Sequence, residues 1–171
     1  MASFQGVWRI AIHRLKYEGD LGVALTIAEM MAHIVESTDW QPELVMPVPL
    51  SEKRQTQRGY NQAARLAYPL SLKLRLPLNT SGLVRMHETK SQVSLSFQER
   101  QVNVRGAFLA DPNVVKDKVI LLIDDVFTTG ATMNAAASAL QEAGCAQVFA
   151  LTAAKALRRA NFIENANSID V

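Results

Sequence analysis

Apolar and polar residues follow helical and strand periods along most of this chain. Apolar residues recur every three or four positions from Leu21 to Val35, which predicts an amphipathic helix after the N-cap residue Asp20. The continuous apolar run Val119–Ile123 is instead typical of a central parallel strand, and Val148–Ala153 predicts another strand. Because strands alternate with helices, we expect an α/β fold with a mostly parallel, twisted sheet flanked by helices.

Shorter elements are predicted around this framework. They are a helix over 6–16, a strand at Leu44–Met46, a helix from Tyr60 to about Leu76, a strand at Leu83–Arg85 and a helix over Thr132–Ala143. Pro47 and Pro49 rule out a continued helix after Leu44–Met46 and predict an extended exit from that strand, followed by a basic turn.

Composition and length narrow the class of protein. The chain has 171 residues and a net charge of +2, which suits one domain over 1–171 and disfavours direct binding of nucleic acid. Its lone cysteine, Cys145, forms no internal disulfide and fits a reducing cytoplasm, so we expect a cytoplasmic protein. No apolar run approaches the roughly 20 residues that span a bilayer, so no membrane span is expected.

The segment after the central strand carries the chemistry. Two acids, Asp124 and Asp125, close the strand, and a loop then leads into a helix. Ligands of α/β sheets bind at the carboxyl ends of strands, and a helix start attracts anions through its unpaired N–H groups. Threonine hydroxyls and a glycine that permits close approach of the backbone add to this phosphate loop. Its residues are Val126, Phe127, Thr128, Thr129, Gly130, Ala131 and Thr132.

The two acids need a role beside a bound phosphate. Asp124 and Asp125 are suited to accept hydrogen bonds from vicinal ribose hydroxyls and to hold Mg²⁺, directly or through water. Together with the phosphate loop they predict a ribose 5-phosphate site in which both acids are catalytic. A capped strand-to-helix turn explains only one of these polar residues. A P-loop NTPase needs G-x-x-x-x-G-K-[ST], which the sequence lacks.

This run resembles the motif that binds phosphoribosyl pyrophosphate (PRPP) in type I phosphoribosyltransferases. The stretches RGYNQ at 58–62 and ER…NVRGAF at 99–108 further resemble the competence-associated ComF family, and the similarity extends from about residue 16 to about 151. The resemblance implies the type I fold with a small flexible hood at about 77–108. It also implies that Asp124 and Asp125 hold the ribose 2- and 3-hydroxyls and that Thr128–Thr132 hold the 5-phosphate. Many relatives begin with a four-cysteine zinc module, which this sequence does not contain.

Two further groups of residues are assigned to the expected site. The loop Pro47, Val48, Pro49 and Leu50 is expected to bind pyrophosphate through backbone N–H groups, with positive charge from Lys53, Arg54 and Arg58. For Lys53 and Arg54 a solvated surface position is an equal alternative. The hood residues are Arg85, Arg100 and Arg105, although Arg100 and Arg105 have the alternative of pairing with Glu99 or capping a short helix.

Two functions follow as expectations. The first is a Mg²⁺-dependent phosphoribosyltransferase, a pentosyl-type glycosyltransferase that joins ribose 5-phosphate to an unidentified small-molecule nitrogen acceptor and releases pyrophosphate. Thr128 stands where enzymes that act on 6-oxopurines usually carry an aspartate, which disfavours that reaction. The alternative is a non-catalytic PRPP- or nucleotide-binding accessory protein in natural competence, with the DNA-uptake machinery as its partner. A homo-oligomer is compatible with both.

Overall fold

The computed structural model describes residues 2–3, 7–86 and 106–155. Within these ranges the strands are β1 (Ala2–Ser3), β2 (Leu44–Pro47), β3 (Leu83–Arg85), β4 (Phe108–Ala110), β5 (Val119–Phe127) and β6 (Gln147–Lys155). The helices are α1 (Val7–His13), α2 (Leu21–Glu36), α3 (Glu52–Arg58), α4 (Gln62–Leu74), α5 (Pro112–Val115) and α6 (Ala131–Glu142). A π-helical turn, Arg14–Glu18, joins α1 to α2.

The main sheet is parallel, which confirms the predicted α/β class. Its strand order is β1-β6-β5-β2, so β5 lies between β6 and β2. Leu121 of β5 is in register with Val45 on one side and with Phe149 on the other. A separate antiparallel pair, β3 and β4, aligns Val84 with Leu109.

Alternate residues of β5 build two cores, one on each face of the sheet. Leu121 and Ile123 pack with α2 and α4, whereas Ile120 and Leu122 pack with α6 and the β3–β4 pair. All four side chains are 0% exposed. A strand covered on both faces has no polar face, which explains its unbroken apolar sequence.

Local chemistry fixes the starts of the two helices on the first face. The Asp20 carboxylate accepts a hydrogen bond from the Val23 amide at 3.0 Å and caps α2, as predicted. The Asn61 side chain accepts from the Ala63 amide at 2.9 Å and caps α4. Helix α4 therefore begins two residues after the start of the predicted helix from Tyr60 to about Leu76. It ends at Leu74 and contains Pro69.

Three local predictions are corrected by the structure. Strand β5 continues through Val126 and Phe127, where a loop was expected, because Phe127 still pairs with Lys155 of β6. The predicted basic turn after β2 is helix α3. Pro47 belongs to β2 itself, which is an edge strand of the main sheet, where a missing N–H is tolerated.

The predicted hood at about 77–108 is described only in part. Its described portion includes β3 and the beginning of β4, whereas residues 87–105, with Arg100 and Arg105, lie outside the described residues. In the portions of the chain that the structure covers, no helix combines the length and hydropathy needed to cross a membrane.

Candidate functional site

A hollow opens at the carboxyl edge of the sheet, where β5 and β6 end. The lining includes Asp124 from β5, Thr152 from β6, and Thr128, Gly130 and Thr132 from the loop and first turn of α6. Its volume is about 30 Å³. The structure therefore brings one of the two predicted acids together with the predicted phosphate loop.

The loop owes its shape to Gly130. Its φ of 80° lies in the left-handed region, and a Cβ built there would come within 2.8 Å of the Phe127 ring. Helix α6 begins at the next residue, and the Asn134 amide donates to the Gly130 carbonyl at 2.8 Å. The Ala131 amide lies 3.4 Å from the Thr129 hydroxyl oxygen. The loop thus presents a helix start and exposed hydroxyls at the sheet edge.

Asp124 is held in an unfavourable environment for its charge. Burial and the neighbouring charge of Asp125 raise the pKa of Asp124 to about 7. Three features oppose this rise in the pKa of Asp124: the Asp125 amide, which donates to its carboxylate at 2.8 Å, and the charges of Lys16 and Arg85. A strongly shifted acid in a hollow is a feature of functional sites.

Asp125 faces the other side of the sheet. Its carboxylate is 2.9 Å from the ammonium of Lys16 in the π-helical turn, and its side chain is 13% exposed. Asp124 lines the hollow with Met133, which belongs to the core on the face of Ile120 and Leu122, whereas Asp125 pairs with Lys16, next to Leu15 of the other core. The two acids are adjacent in sequence, but they meet different surroundings.

Arg85 of the predicted hood lies near this site. Its charge lowers the pKa of Asp124, against the larger effect of burial. The guanidinium carbon is 5.4 Å from the centre of the Phe108 ring, a cation–π distance. The β3–β4 pair therefore brings positive charge to the face of the sheet that carries Asp124.

The predicted pyrophosphate loop has fewer backbone donors than its length suggests. Pro47 and Pro49 have no N–H, and the Val48 amide donates to the carbonyl of Ile123 at 2.8 Å. Leu50 supplies the remaining backbone amide of the loop. The bond from Val48 also ties the exit of β2 to the end of β5.

The three cations after this loop have different surroundings. Lys53 and Arg54 are exposed on α3. Arg58, at the end of α3, is half-buried, and its guanidinium carbon lies 5.5 Å from the centre of the Tyr17 ring. Arg58 thus contacts the π-helical turn that also carries Lys16.

The carboxylates limit how a metal would be held. Within the described ranges no group of three or more His, Cys, Asp and Glu side chains is arranged to hold a metal ion. Mg²⁺ usually binds one or two carboxylates, keeps several waters and shares phosphate oxygens of the substrate. Asp124 and Asp125 fit that mode of binding, and they do not form a protein cage for the ion.

Sequence reasoning missed two residues of the site. Thr152 lines the hollow from β6, and the rule that ligands gather at the carboxyl ends of adjacent strands was enough to find it. Lys16 has no comparable local signal, because it reaches Asp125 only through the packing of the π-helical turn against α4 and the sheet.

Comparison with known proteins shows the family of this chain. The profile of the phosphoribosyl transferase domain matches residues 21–166. Competence protein F of Haemophilus influenzae is 32% identical over an alignment of 146 residues that covers 81% of this chain and 64% of that protein. DNA utilization protein YhgH of Escherichia coli O157:H7 is 31% identical over an alignment of 153 residues that covers 86% of this chain and 67% of that protein. This chain therefore spans about two thirds of the length of these relatives.

Solved structures share the fold at low sequence identity. A glutamine PRPP amidotransferase from B. subtilis, in complex with ADP and GMP, superposes with a TM-score of 0.56 at 17% identity, covering 83% of this chain and 30% of that chain. An adenine phosphoribosyltransferase from Trypanosoma brucei, in complex with AMP, pyrophosphate and ribose-5-phosphate, gives 0.51 at 12% identity, covering 79% and 53%. At these identities the likeness shows a common fold.

Proposed function

This chain belongs to the phosphoribosyltransferase family and, within it, to the ComF family, and from that premise we propose that it binds PRPP with Mg²⁺ and transfers ribose 5-phosphate to a small-molecule nitrogen acceptor, releasing pyrophosphate. One observation carries this proposal. Asp124 shares a hollow with the Thr128–Thr132 loop, at the start of α6 and at the carboxyl edge of a parallel sheet. A carboxylate beside an anion-binding helix start suits a ligand that is both a diol and a phosphate.

The ligand is divided between the residues as follows. The hydroxyls of Thr128 and Thr132 and the first amides of α6 bind the 5-phosphate. Asp124 accepts hydrogen bonds from the ribose hydroxyls, and Asp125 completes this grip at the same edge. The loop that contains Val48 meets the pyrophosphate. This assignment follows the order of the segments along the sheet edge, from β6 through β5 to β2.

The chemistry requires that charge on the departing pyrophosphate be neutralised. The bond from ribose C1 to the pyrophosphate oxygen breaks, and its electron pair leaves with the pyrophosphate. The acceptor nitrogen bonds to C1 and releases its proton to the pyrophosphate or to water. Bound Mg²⁺ would supply Lewis-acid stabilisation of the leaving group. Arg85 brings positive charge near Asp124, where it offsets the acidic charge of the site.

Calorimetric titration with PRPP and Mg²⁺ tests the binding site. The double variant Asp124→Asn with Asp125→Asn is expected to lose PRPP binding while far-UV circular dichroism shows an intact fold. Asp39→Asn with Asp117→Asn removes the same charge elsewhere and should bind like the parent protein. Asn tolerates the positive φ of 59° at position 117, so that control preserves the backbone. Undiminished binding in the Asp124/Asp125 variant would refute the site assignment.

A second function is favoured by the names of the relatives. Competence protein F and DNA utilization protein YhgH suggest an accessory protein that binds PRPP or a nucleotide and assists DNA uptake. Turnover separates the two functions. Incubation with PRPP, Mg²⁺ and a panel of nitrogen bases should release pyrophosphate if the protein is a transferase. Tight binding of PRPP without release across the panel would support the accessory role.

A further inference from the structure

We propose that Lys16, carried by the π-helical turn Arg14–Glu18, is a ligand-binding cation of this site that holds Asp125 and binds the pyrophosphate group of PRPP. This inference rests on the proposed function and adds a residue and a segment to it. The ammonium of Lys16 is 2.9 Å from the carboxylate of Asp125, and its side chain is 23% exposed. An ammonium has three N–H donors, so a bond to Asp125 leaves donors for a ligand.

The π-helical turn is fixed in place by the segment that contains RGYNQ. The Tyr60 hydroxyl donates to the Leu15 carbonyl at 3.0 Å. The Arg65 guanidinium donates to the Gly19 carbonyl at 2.6 Å, directly after the turn. Arg58 stacks over the Tyr17 ring at 5.5 Å. Residues before and after Lys16 in the sequence are thus held by these contacts, and their position directs the Lys16 side chain toward the end of β5.

A π-helical turn is rare, and such turns are frequently found at functional sites. Leu15 is 0% exposed in the core beneath the turn, whereas the next residue reaches the sheet edge. Lys16 is therefore placed by packing and by backbone contacts on its neighbours. An ion pair between flexible, exposed side chains has no comparable support.

The position of Lys16 selects the pyrophosphate among the anionic groups of the ligand. The hollow proposed for the 5-phosphate lies on the face of Asp124, next to Met133 of α6. Lys16 and Asp125 lie on the opposite face. The Val48 carbonyl of the expected pyrophosphate loop accepts a hydrogen bond from the Asn61 side chain at 3.0 Å, and the neighbouring Tyr60 holds the π-helical turn through the Leu15 carbonyl. Lys16 and the expected pyrophosphate loop therefore serve the same end of the ligand.

The test compares two ligands on matched lysine variants. Calorimetry with Mg²⁺ measures the affinities for PRPP and for ribose 5-phosphate, which lacks the pyrophosphate. Lys16→Met should weaken PRPP binding at least tenfold and ribose 5-phosphate binding less than threefold. Lys16→Arg should restore most of the PRPP affinity. Lys73→Met is the control, since Lys73 pairs with Glu29 at 2.7 Å on exposed surface.

The remaining outcomes are distinguishable. Equal losses for both ligands in Lys16→Met would show that Lys16 only supports the fold of the site, and unchanged PRPP affinity would show that it has no part in binding. Either result overturns the inference and leaves the proposed function standing. If the parent protein binds neither ligand, the proposed function itself fails. An increase in salt should weaken PRPP binding by the parent protein more steeply than binding by Lys16→Met.

Discussion

Asp124 is expected to reduce the stability of the ligand-free protein at neutral and alkaline pH. Its pKa is raised from 3.8 to about 7 in the folded protein, so between these values the folded state binds more protons than the unfolded chain. Stability therefore falls as the pH rises from about 4 to about 7 and stays low above that range. The Asp124→Asn variant, which has no charge to bury, should escape this loss.

The size of the effect follows from the pKa shift of Asp124. A shift of about 3 units corresponds to about 4 kcal/mol at 1.36 kcal/mol per unit, which is an upper limit. Asp124 keeps partial exposure, so water and local relaxation reduce this cost. We expect Asp124→Asn to raise the free energy of unfolding by about 1–2 kcal/mol at pH 8 and to leave it nearly unchanged at pH 4.

Urea denaturation without PRPP, at pH 4, 6 and 8, measures this difference. Asp39→Asn is the matched control, because its side chain is exposed and lies outside the site. Its unfolding free energy should follow that of the parent protein at every pH. A destabilised Asp124→Asn protein at pH 8, or a difference that does not depend on pH, would falsify the reasoning. A gain in stability with loss of PRPP binding would show that the site is built at the expense of stability.

Three further changes probe the loop, the core and a helix cap. Gly130→Ala should lower the unfolding free energy by about 2 kcal/mol and weaken PRPP binding, because the positive φ and the Phe127 ring both oppose a Cβ at this position. Denaturation measures the first effect and calorimetry the second, and wild-type values in both would contradict the argument. Leu121→Ala should cost about 2–5 kcal/mol in the same denaturation assay, since its side chain is 0% exposed in the central strand. Asp20→Ala should lower the melting temperature at pH 7 and lower it less near pH 3. The hydrogen bond from the Val23 amide holds the pKa of the Asp20 cap below its usual value, and the stabilisation that this bond gives disappears as the carboxylate protonates. An Asp20→Ala deficit of equal size at both pH values would contradict the cap argument.

Local sequence was sufficient wherever contacts are near in the chain. The apolar run Val119–Ile123 identified a strand buried on both faces, and the polar residues after it identified the hollow around Asp124 and the start of α6. Both signals depend on neighbours within a few residues. Asp20 as a helix cap was predictable for the same reason.

Contacts that depend on packing were beyond such reasoning. The sequence predicts a loop at Val126 and Phe127, yet pairing with β6 extends the strand through both residues. Asp124 and Asp125 are adjacent in sequence, yet one lines the hollow and the other pairs with Lys16. The partner of Asp125 could not be predicted, because Lys16 is remote in sequence and is aimed by contacts with Tyr60 and Arg65.

The alternation of two neighbouring acids across β5 has a consequence for the whole molecule. A small molecule that contacts both Asp124 and Asp125 must extend across the carboxyl ends of the strands. One part of it would contact α6, and another part would contact the π-helical turn. The bound ligand would then connect the helical layer of α2 and α4 with the layer of α6, which are otherwise separated by the sheet. Contacts that the ligand makes with one helical layer would then reduce the conformational freedom of the other layer.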